Sequence, residues 1–413
     1  MFPHSAYIHI PFCRRRCFYC DFPVSVMGDR AQGENSGTIT EYVKILCQEI
    51  TTTITPKEQP LETIFFGGGT PSLLSLGQLS QILTTLDGMF GISRDAEISL
   101  EIDPGTFSLD DLYGYKALGI NRFSLGIQAF QDELLAKSGR SHTVKEIYDA
   151  VNLVYQAGIV NFSLDLISGL PHQTLQQYQV SLQNAIGLNP THLSCYDLIV
   201  EPKTVFARYY EPGSHPLPND ETTAQMYRLS QEILTKSGYV HYEISNYAKP
   251  GYQSRHNRVY WENRPYYGFG MGATSYVQGI RVTRPRKRLE YYNWVSTLLT
   301  PQNQLNTPPQ ESHSLKSESN DILLETLMLG LRLAEGLKIE ILREKFGHEN
   351  LKKVWNSLQP YYQCGWVEIL NPQGQKQEQN KLKLPSEGDL RLSDPEGFLF
   401  SNTVLAALFR DFT

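Results

Sequence analysis

The sequence predicts an α/β fold of six consecutive βα units, followed by a smaller, mainly helical C-terminal domain. Short apolar runs rich in β-forming residues alternate with helix-like stretches between residues 6 and 200, which is the rhythm of a parallel sheet. Between residues 299 and 321 the composition changes to Pro, Gln, Asn, Ser and Thr without an apolar period, which is typical of a linker. A chain of 413 residues is long enough for a barrel-sized core and an appended domain.

The predicted strands are short, apolar or β-branched, and followed by polar residues. They cover residues 6–10, 63–66, 97–102, 122–127, 161–167 and 192–200. The helix-like stretches between them have apolar residues at a helical period and cover residues 41–53, 79–89, 109–118, 144–157 and 175–188. Gly119 and Gly158 follow two of these stretches in the manner of a helix C-cap.

We expect four segments along the chain: the βα units in 1–240, a connecting region in 241–298, the polar linker in 299–321 and a C-terminal domain in 322–413. The C-terminal domain has three stretches of helical spacing and two short strands, which cover residues 322–333, 339–346, 351–361, 366–369 and 390–392. This order predicts a small helical domain with a terminal hairpin, and a winged-helix-like fold is one alternative.

Composition and charge exclude several classes of protein. The formal net charge is -6, so nothing steers the chain to phosphate backbones and we expect no nucleic-acid partner. Uninterrupted apolar stretches stay well below the roughly 18 residues that a transmembrane helix needs. The first cysteine lies only thirteen residues from the start, which leaves no room for a signal peptide, so we expect a cytoplasmic protein. Membrane association through a partner stays open.

Cys13, Cys17 and Cys20 have the spacing Cys-x3-Cys-x2-Cys, in which three thiolates can hold three irons of a 4Fe-4S cluster and leave the fourth open. Such an open iron can be chelated by the amine and carboxylate of S-adenosylmethionine. Zinc sites usually show paired Cys-x2-Cys or Cys/His sets, and a disulfide would leave one of the three cysteines unpaired. The arginines 14–16 favour the thiolate form and offset an anionic cluster. The three other cysteines occur singly and are interpreted as small buried hydrophobic residues.

Polar residues follow the predicted strands, and in a parallel βα fold such strand ends meet on one face. The run 67–71, Gly-Gly-Gly-Thr-Pro, lacks the glycine and lysine pattern of nucleotide loops, but it suits close approach of backbone to a ligand; a plain tight turn is the alternative. Glu101 ends an otherwise apolar strand, and Gln128, Arg140 and Asp165 can complete a polar ring around a nucleoside. Each of these residues alone is more often a cap or turn anchor.

The run 256–261, His-Asn-Arg-Val-Tyr-Trp, is a second informative motif. Imidazole is a good axial ligand for haem iron, and Tyr260 and Trp261 offer apolar faces to a macrocycle. From the residues alone, a hydrogen-bonded structural histidine beside two core aromatics is the favoured interpretation. The basic residues between 281 and 288 can meet propionates of a porphyrin, although a solvated surface strip is the simpler interpretation.

The sequence resembles radical S-adenosylmethionine proteins of the oxygen-independent coproporphyrinogen III oxidase family, and within it the HemW-type haem chaperone branch. The resemblance spans nearly the whole chain. It rests on eight motifs in order: Tyr7-Ile-His-Ile-Pro-Phe-Cys13, the three-cysteine loop, Gly67-Gly-Gly-Thr-Pro71, Glu101-Ile-Asp-Pro104, Gly126-Ile-Gln128, Asp165-Leu-Ile-Ser-Gly-Leu-Pro171, Tyr242-Glu-Ile-Ser-Asn246 and His-Asn-x2-Tyr-Trp from His256.

The resemblance implies an incomplete (β/α)6 radical S-adenosylmethionine barrel followed by a smaller domain. It implies that Cys13, Cys17 and Cys20 ligate the cluster and that His256 is the haem-associated residue. It also implies that a larger set of residues contacts S-adenosylmethionine, namely Tyr7, Tyr19, Gly68, Gly69, Thr70, Glu101, Gln128, Arg140 and Asp165.

Two departures separate the chain from the decarboxylating oxidases of this family. Those enzymes carry another cysteine two positions after the third ligand, where Phe22 stands here, and they have a longer N-terminal extension. The first hypothesis is therefore a chaperone that binds haem and passes it to apo-haemoproteins of respiration, with an electron donor that the sequence does not identify. The alternative is an oxidase that decarboxylates porphyrinogen propionates through a 5'-deoxyadenosyl radical. Radical chemistry on an unrelated substrate would leave the His256 region without a role.

Overall fold

The computed structural model describes residues 2–28, 33–53, 60–299, 319–377 and 383–412. The chain divides into a first unit, Met1–Met226 with Pro265–Leu315, and a second unit, Tyr227–Arg264 with Lys316–Thr413. Residues 300–318 of the predicted linker lie outside the described residues, and residues 319–321 begin the helix Ser319–Gly330. The predicted segment boundaries stay a prediction.

The first unit contains seven parallel strands side by side, which include all six predicted strands. In spatial order they are Tyr267–Phe269, Ser5–Ile10, Leu61–Gly68, Ile92–Ile102, Arg122–Gln128, Phe162–Ser168 and His192–Asp197. The parallel βα architecture is confirmed. The predicted strand 192–200 ends earlier, at Asp197, and the strand Tyr267–Phe269 was not predicted.

Helices connect these strands, and all five predicted helices are present with slightly different ends. The helices of this part of the chain are Gly37–Thr51, Leu76–Phe90, Leu109–Ala117, Asp132–Lys137, Val144–Gln156, Leu175–Gly187, Phe206–Tyr209 and Asp220–Lys236. Four of them begin with a capping box, in which a Ser or Thr side chain and the side chain three residues later satisfy each other's free backbone amides. The capping residues are Ser75, Ser108, Thr143 and Thr174.

The strands place apolar side chains on one face of the sheet and polar side chains on the other, because successive residues of a strand point to opposite faces. Ile8, Leu100 and Leu164 are fully buried on the apolar face. On the opposite face, paired residues of neighbouring strands are polar, as in the register Glu101 to Ser124 and Asp165 to Ser194. The polar face therefore carries the candidate site.

The rest of the first unit consists of short elements. The strand pair Phe12–Cys13 and Ser25–Val26 is parallel, and Thr274–Val277 forms an antiparallel hairpin with Ile280–Thr283. The helix Arg288–Leu298 follows.

The second unit is built on helices and a small antiparallel sheet. Its strands are the hairpin Val240–Glu243 and Asn246–Ala248 and the three-stranded sheet Leu337–Lys338, Asp389–Leu392 and Val367–Leu370. Its helices are Arg255–Trp261, Ser319–Gly330, Ile339–Phe346, His348–Gln363, Glu396–Leu399 and Ser401–Phe412. Leu327, Leu358 and Val404 are fully buried in one apolar core of this unit.

Among the residues that the structure describes, no helix is long and apolar enough to span a bilayer.

Candidate functional site

The three cysteines of the motif lie on one loop that follows the strand Ser5–Ile10. Cys13 ends the short strand Phe12–Cys13, and the backbone N–H of Cys20 donates to the carbonyl oxygen of Cys17 at 3.2 Å. The guanidinium of Arg16 donates to the carbonyl oxygen of Cys20 at 3.1 Å, which closes the loop. All three thiols are partly exposed and unbridged. The loop thus presents three cysteine side chains that are accessible to a ligand.

Iron binding would change the protonation of the Cys13 thiol. The pKa of Cys13 is raised to about 12, mainly by burial and also by the charges of Asp103, Cys17 and Cys20. Without a metal, the Cys13 thiol therefore keeps its proton near neutral pH, and iron would displace that proton on binding. No group of three His, Cys, Asp or Glu side chains in the described ranges is arranged around a single ion. Ligands of a 4Fe-4S cluster bind separate irons, so they stand further apart than the ligands of one ion.

The glycine-rich run is a tight backbone connection beside this loop. The Gly69 N–H donates to the Ile10 carbonyl oxygen at 2.8 Å, and the Thr70 N–H donates to the Phe12 carbonyl oxygen at 2.7 Å. Gly68 has a φ of +113°, and a Cβ atom there would meet the His9 ring at 2.5 Å. Only glycine fits this position without strain. The run is therefore held close to Cys13 by its own backbone.

Glu101 joins the third predicted strand to this glycine-rich run. Its Oε2 atom accepts the Gly68 N–H at 3.0 Å. The pKa of Glu101 is raised to about 8, mainly by burial and then by the negative charge of Asp165, while the Gly68 hydrogen bond opposes this rise. The carboxyl group is therefore ready to ionise when a positively charged ligand group arrives.

Asp165 is surrounded by serine hydroxyls from its own and neighbouring strands. Its carboxylate accepts from Ser124 at 2.8 Å and from Ser163 at 3.1 Å, and Ser194 also donates to it. Burial raises the pKa of Asp165, and these hydroxyl donors lower it. An ionised carboxylate has about four acceptor positions, so room for a further donor remains.

Gln128 ends the strand Arg122–Gln128 in an unusual backbone conformation. Its φ is +57°, and the register of its strand shifts between Gly126 and Gln128. The side chain is buried, and its Oε1 atom has no hydrogen-bond partner among the described residues. A buried acceptor without a partner costs about 1–3 kcal/mol, which a ligand hydroxyl or amine can relieve.

Arg140 connects the cysteine loop with two strand ends. Its Nη2 atom lies 2.5 Å from Asp103 Oδ1 and 2.8 Å from the Gly126 carbonyl oxygen. Its Nη1 atom donates to Cys17 Sγ at 3.4 Å. Asp103 also accepts the Thr70 hydroxyl at 3.0 Å. Thr70 and Arg140 are therefore brought together by a carboxylate that the sequence analysis did not select.

Tyr7 lies on the strand Ser5–Ile10 before the cysteine loop, and Tyr19 lies within the loop, between Cys17 and Cys20. The Tyr7 hydroxyl donates to His9 Nδ1 at 3.0 Å, and His9 Nε2 donates to the Pro23 carbonyl oxygen at 3.1 Å. Burial lowers the pKa of His9 to about 4, so the ring is neutral. Tyr19 contacts Phe206, with 6.3 Å between ring centroids, and burial raises the pKa of its hydroxyl. His9 thus ties the strand that carries Tyr7 to the end of the loop.

His256 lies in the second unit, whereas all other predicted site residues lie in the first. It is on the helix Arg255–Trp261 and is fully buried. Its Nε2 atom is 2.9 Å from the Tyr260 hydroxyl, and burial lowers its pKa to about 3. Its role toward haem stays a prediction, and this buried ring would have to become accessible to serve as an iron ligand.

The basic residues between 281 and 288 have protein partners. Arg284 is mostly buried and pairs with Glu49 at 2.8 Å. Arg286 pairs with Asp21, and Lys287 pairs with Glu290. Arg284 therefore joins the segment after the strand Ile280–Thr283 to the helix Gly37–Thr51, whereas Arg286 and Lys287 form exposed pairs, as expected for a surface strip.

Asp103 and His9 lie in this region but were not among the site residues predicted from the sequence. Asp103 lies in the motif Glu101-Ile-Asp-Pro104, and His9 lies in the motif before Cys13, so both were visible as motif members. Their contacts depend on residues 37 and 14 positions away. Spacing along the chain does not reveal such contacts.

Comparisons with known proteins agree with this site. The radical SAM superfamily model matches residues 7–184, and the HemN C-terminal domain model matches residues 318–371. The heme chaperone HemW of Synechocystis sp. is 47% identical over 409 residues, which cover 99% of this chain and 97% of that protein. The heme chaperone HemW of Bacillus subtilis is 38% identical over 345 residues, which cover 83% of this chain and 87% of that protein.

A solved structure shows the same fold. Coproporphyrinogen III oxidase (HemN) from Escherichia coli superposes with a TM-score of 0.78 at 23% identity, covering 98% of this chain and 90% of that chain. The radical SAM superfamily implies a 4Fe-4S cluster and S-adenosylmethionine as cofactors, and the thiol set and the unpartnered Gln128 acceptor fit them. On the identity and coverage of these relatives, the chain belongs to the HemW family of radical SAM proteins.

Proposed function

We propose that the protein is a haem chaperone, which binds haem and transfers it to apo-haemoproteins. The observation that carries the proposal is the 47% identity to the heme chaperone HemW of Synechocystis sp. over 99% of this chain. The finer statements, that the recipients belong to respiration, that a separate electron donor serves the cluster and that the protein works in the cytoplasm, are part of the same proposal.

Cys13, Cys17 and Cys20 would hold a 4Fe-4S cluster, and the strand ends beside it would hold S-adenosylmethionine. When reduced, such a cluster supplies an electron to a sulfonium bound at its open iron. The proposed contacts to the nucleoside share the polar face of the sheet or its adjoining loops, and they are Tyr7, Tyr19, Gly68, Gly69, Thr70, Glu101, Gln128, Arg140 and Asp165.

The chain's own residues divide the work of binding. Glu101 offers a carboxyl group of raised pKa to a ligand amine, and ionises as the amine binds. Gln128 offers its unpartnered oxygen, and Asp165 offers its remaining acceptor position to ribose hydroxyls. The glycine run lacks Cβ atoms where protein atoms crowd it, which lets this backbone lie directly against the cysteine loop.

Phe22 supports the chaperone over the oxidase. It is 57% exposed and stands where the oxidases of the family carry their additional cysteine. A phenyl ring has no thiol to donate a proton or hydrogen atom. The fold likeness to coproporphyrinogen III oxidase reports architecture alone, so it does not weigh against this assignment.

One anaerobic experiment with two arms tests the proposal. In the first, the reconstituted full chain is titrated with haem and then mixed with an apo-haemoprotein of a respiratory complex, and absorption spectra report the transfer. In the second, the same protein receives dithionite, S-adenosylmethionine and coproporphyrinogen III, and the tetrapyrroles are separated and identified. We expect haem transfer in the first arm and unchanged coproporphyrinogen in the second. Repeated turnover to protoporphyrinogen would replace the chaperone by the oxidase.

A further inference from the structure

The guanidinium of Arg140 is placed at a cysteine sulfur by contacts that do not involve a cofactor. Its side chain is only 9% exposed, and its Nη2 atom is held by Asp103 Oδ1 at 2.5 Å and by the Gly126 carbonyl oxygen at 2.8 Å. The remaining Nη1 atom donates to Cys17 Sγ at 3.4 Å. The orientation of the guanidinium is therefore set by the Asp103 carboxylate and the Gly126 carbonyl.

The backbone beside Arg140 also grips the cysteine loop. The Phe18 N–H donates to the Ser138 carbonyl oxygen at 3.0 Å. Gly139 has a φ of +75°, and a Cβ atom there would meet the Phe18 ring at 2.9 Å. The segment 138–140 thus fixes the residue that follows Cys17 at the same time as Arg140 reaches the Cys17 sulfur. Two independent contacts keep the distance between guanidinium and sulfur short.

Asp103 keeps the guanidinium from turning away. It accepts from Arg140 and from the Thr70 hydroxyl at 3.0 Å, so both of its oxygens are engaged. A guanidinium stays protonated at any pH at which proteins fold, and it has five N–H donors. The two Nη2 hydrogens are shared among Asp103, Gly126 and His142, and one Nη1 hydrogen contacts Cys17. The second Nη1 hydrogen and the buried Nε–H remain for a nucleoside contact. A role toward the sulfur is therefore compatible with one toward S-adenosylmethionine.

We infer that Arg140 is a positioning residue for Cys17 that raises the reduction potential of the cluster by donating a charged hydrogen bond to that ligand sulfur. Hydrogen bonds to ligand sulfurs and nearby positive charge stabilise the more negative, reduced state. One electron enters from an external one-electron reductant; no bond to Arg140 forms or breaks, and no proton moves.

The test is a redox titration of the anaerobically reconstituted full chain with dithionite and mediators, followed by electron paramagnetic resonance. In Arg140→Lys the positive charge remains and pairs with Asp103, but there is no second nitrogen to donate to Cys17. We therefore expect the midpoint potential of the cluster to shift to more negative values. In Arg140→Gln the charge is lost as well, and we expect a larger shift in the same direction. Resonance Raman spectra of the iron–thiolate stretches are expected to change in both variants.

Arg94→Gln is the matched control, because Arg94 is an exposed arginine near the start of the strand Ile92–Ile102, whose other end carries Glu101. Its midpoint potential is expected to stay at the wild-type value. If Arg140→Gln does not retain four irons per chain, the inference is tested by the midpoint potential of Arg140→Lys alone. A wild-type potential and unchanged iron–thiolate stretches in Arg140→Lys would overturn the inference.

The inference rests on the proposed cluster, and the two can fail separately. A wild-type protein that binds no cluster with an open iron contradicts the proposed function. A wild-type protein with a normal cluster, beside Arg140 variants of unchanged potential, contradicts the inference alone.

Discussion

The Oε2 atom of Glu101 accepts the backbone N–H of Gly68 at 3.0 Å, so the end of one strand is joined to the glycine-rich run that follows its neighbour. The two residues are 33 positions apart, and the bond brings a carboxyl group of raised pKa next to backbone that has no Cβ atoms. The candidate site is built from several such links between strand ends.

The raised pKa of Glu101 predicts a pH dependence of stability in the cofactor-free protein. Its pKa rises from 4.5 to about 8 on folding, so the folded state holds more protons than the unfolded state between these values. The free energy of unfolding should therefore fall as the pH rises from about 4.5 to 8, and Glu101's contribution is fully present below that window. Urea unfolding across this range should show a flatter slope in Glu101→Gln than in wild type. The exposed Glu211→Gln is the control, and an equal slope in all three proteins would contradict the assignment.

Each cysteine of the loop should be required for cluster loading. Replacement of Cys13, Cys17 or Cys20 by Ser removes one of three thiolate ligands, and we expect loss of most iron and sulfide after reconstitution. The exposed Cys364→Ser should load like wild type. Iron and sulfide analysis with visible absorption checks both. Normal loading in any of the three loop variants would remove that residue from the ligand set.

Glu49 should be critical for the stability of the first unit. It is 1% exposed and accepts from Arg284 at 2.8 Å, from the Gly270 N–H at 2.8 Å and from the Tyr291 hydroxyl at 2.7 Å. Glu49→Leu leaves a mostly buried guanidinium without its partner, which costs about 3–5 kcal/mol. Urea denaturation measures the loss.

A surface pair provides the control for this change. Asp149 pairs with Lys145 on the exposed face of one helix, so Asp149→Asn should change the free energy of unfolding little. Equal losses of unfolding free energy in Asp149→Asn and Glu49→Leu would mean that burial of the Glu49–Arg284 pair does not contribute to stability.

The haem role predicted for His256 can be separated from its structural role. Its imidazole is fully buried and lies 2.9 Å from the Tyr260 hydroxyl. If the imidazole ligates iron, His256→Ala should weaken haem binding and alter the absorption spectrum of the bound haem. Tyr260→Phe leaves the imidazole of His256 in place, so its haem affinity and spectrum should match wild type. Circular dichroism confirms that each variant folds. A haem titration of folded His256→Ala that matches wild type would reject the role.

Much of the fold was predictable because the six strands are long enough to be recognised as apolar or β-branched runs that alternate with helix-like stretches. The strand Tyr267–Phe269 was missed because three residues, one of them glycine, carry no readable period. Arg284 illustrates a different difficulty, since its position in a basic run suggested a solvated strip. The structure buries it against Glu49, 235 residues away. Local charge pattern does not reveal a partner at that distance.

The spacing of Cys13, Cys17 and Cys20 and the order of the motifs were sufficient to identify the family and the chemistry of the thiol loop, because ligand type and spacing along one loop are local properties. The tertiary structure alone decided that Arg140 reaches the sulfur of Cys17, 123 residues earlier, and that His256 lies buried in a different unit from the cysteines. Those outcomes depend on sheet register, a carboxylate that orients a guanidinium, and the packing of a helix. None of these is a property of neighbouring residues in the chain.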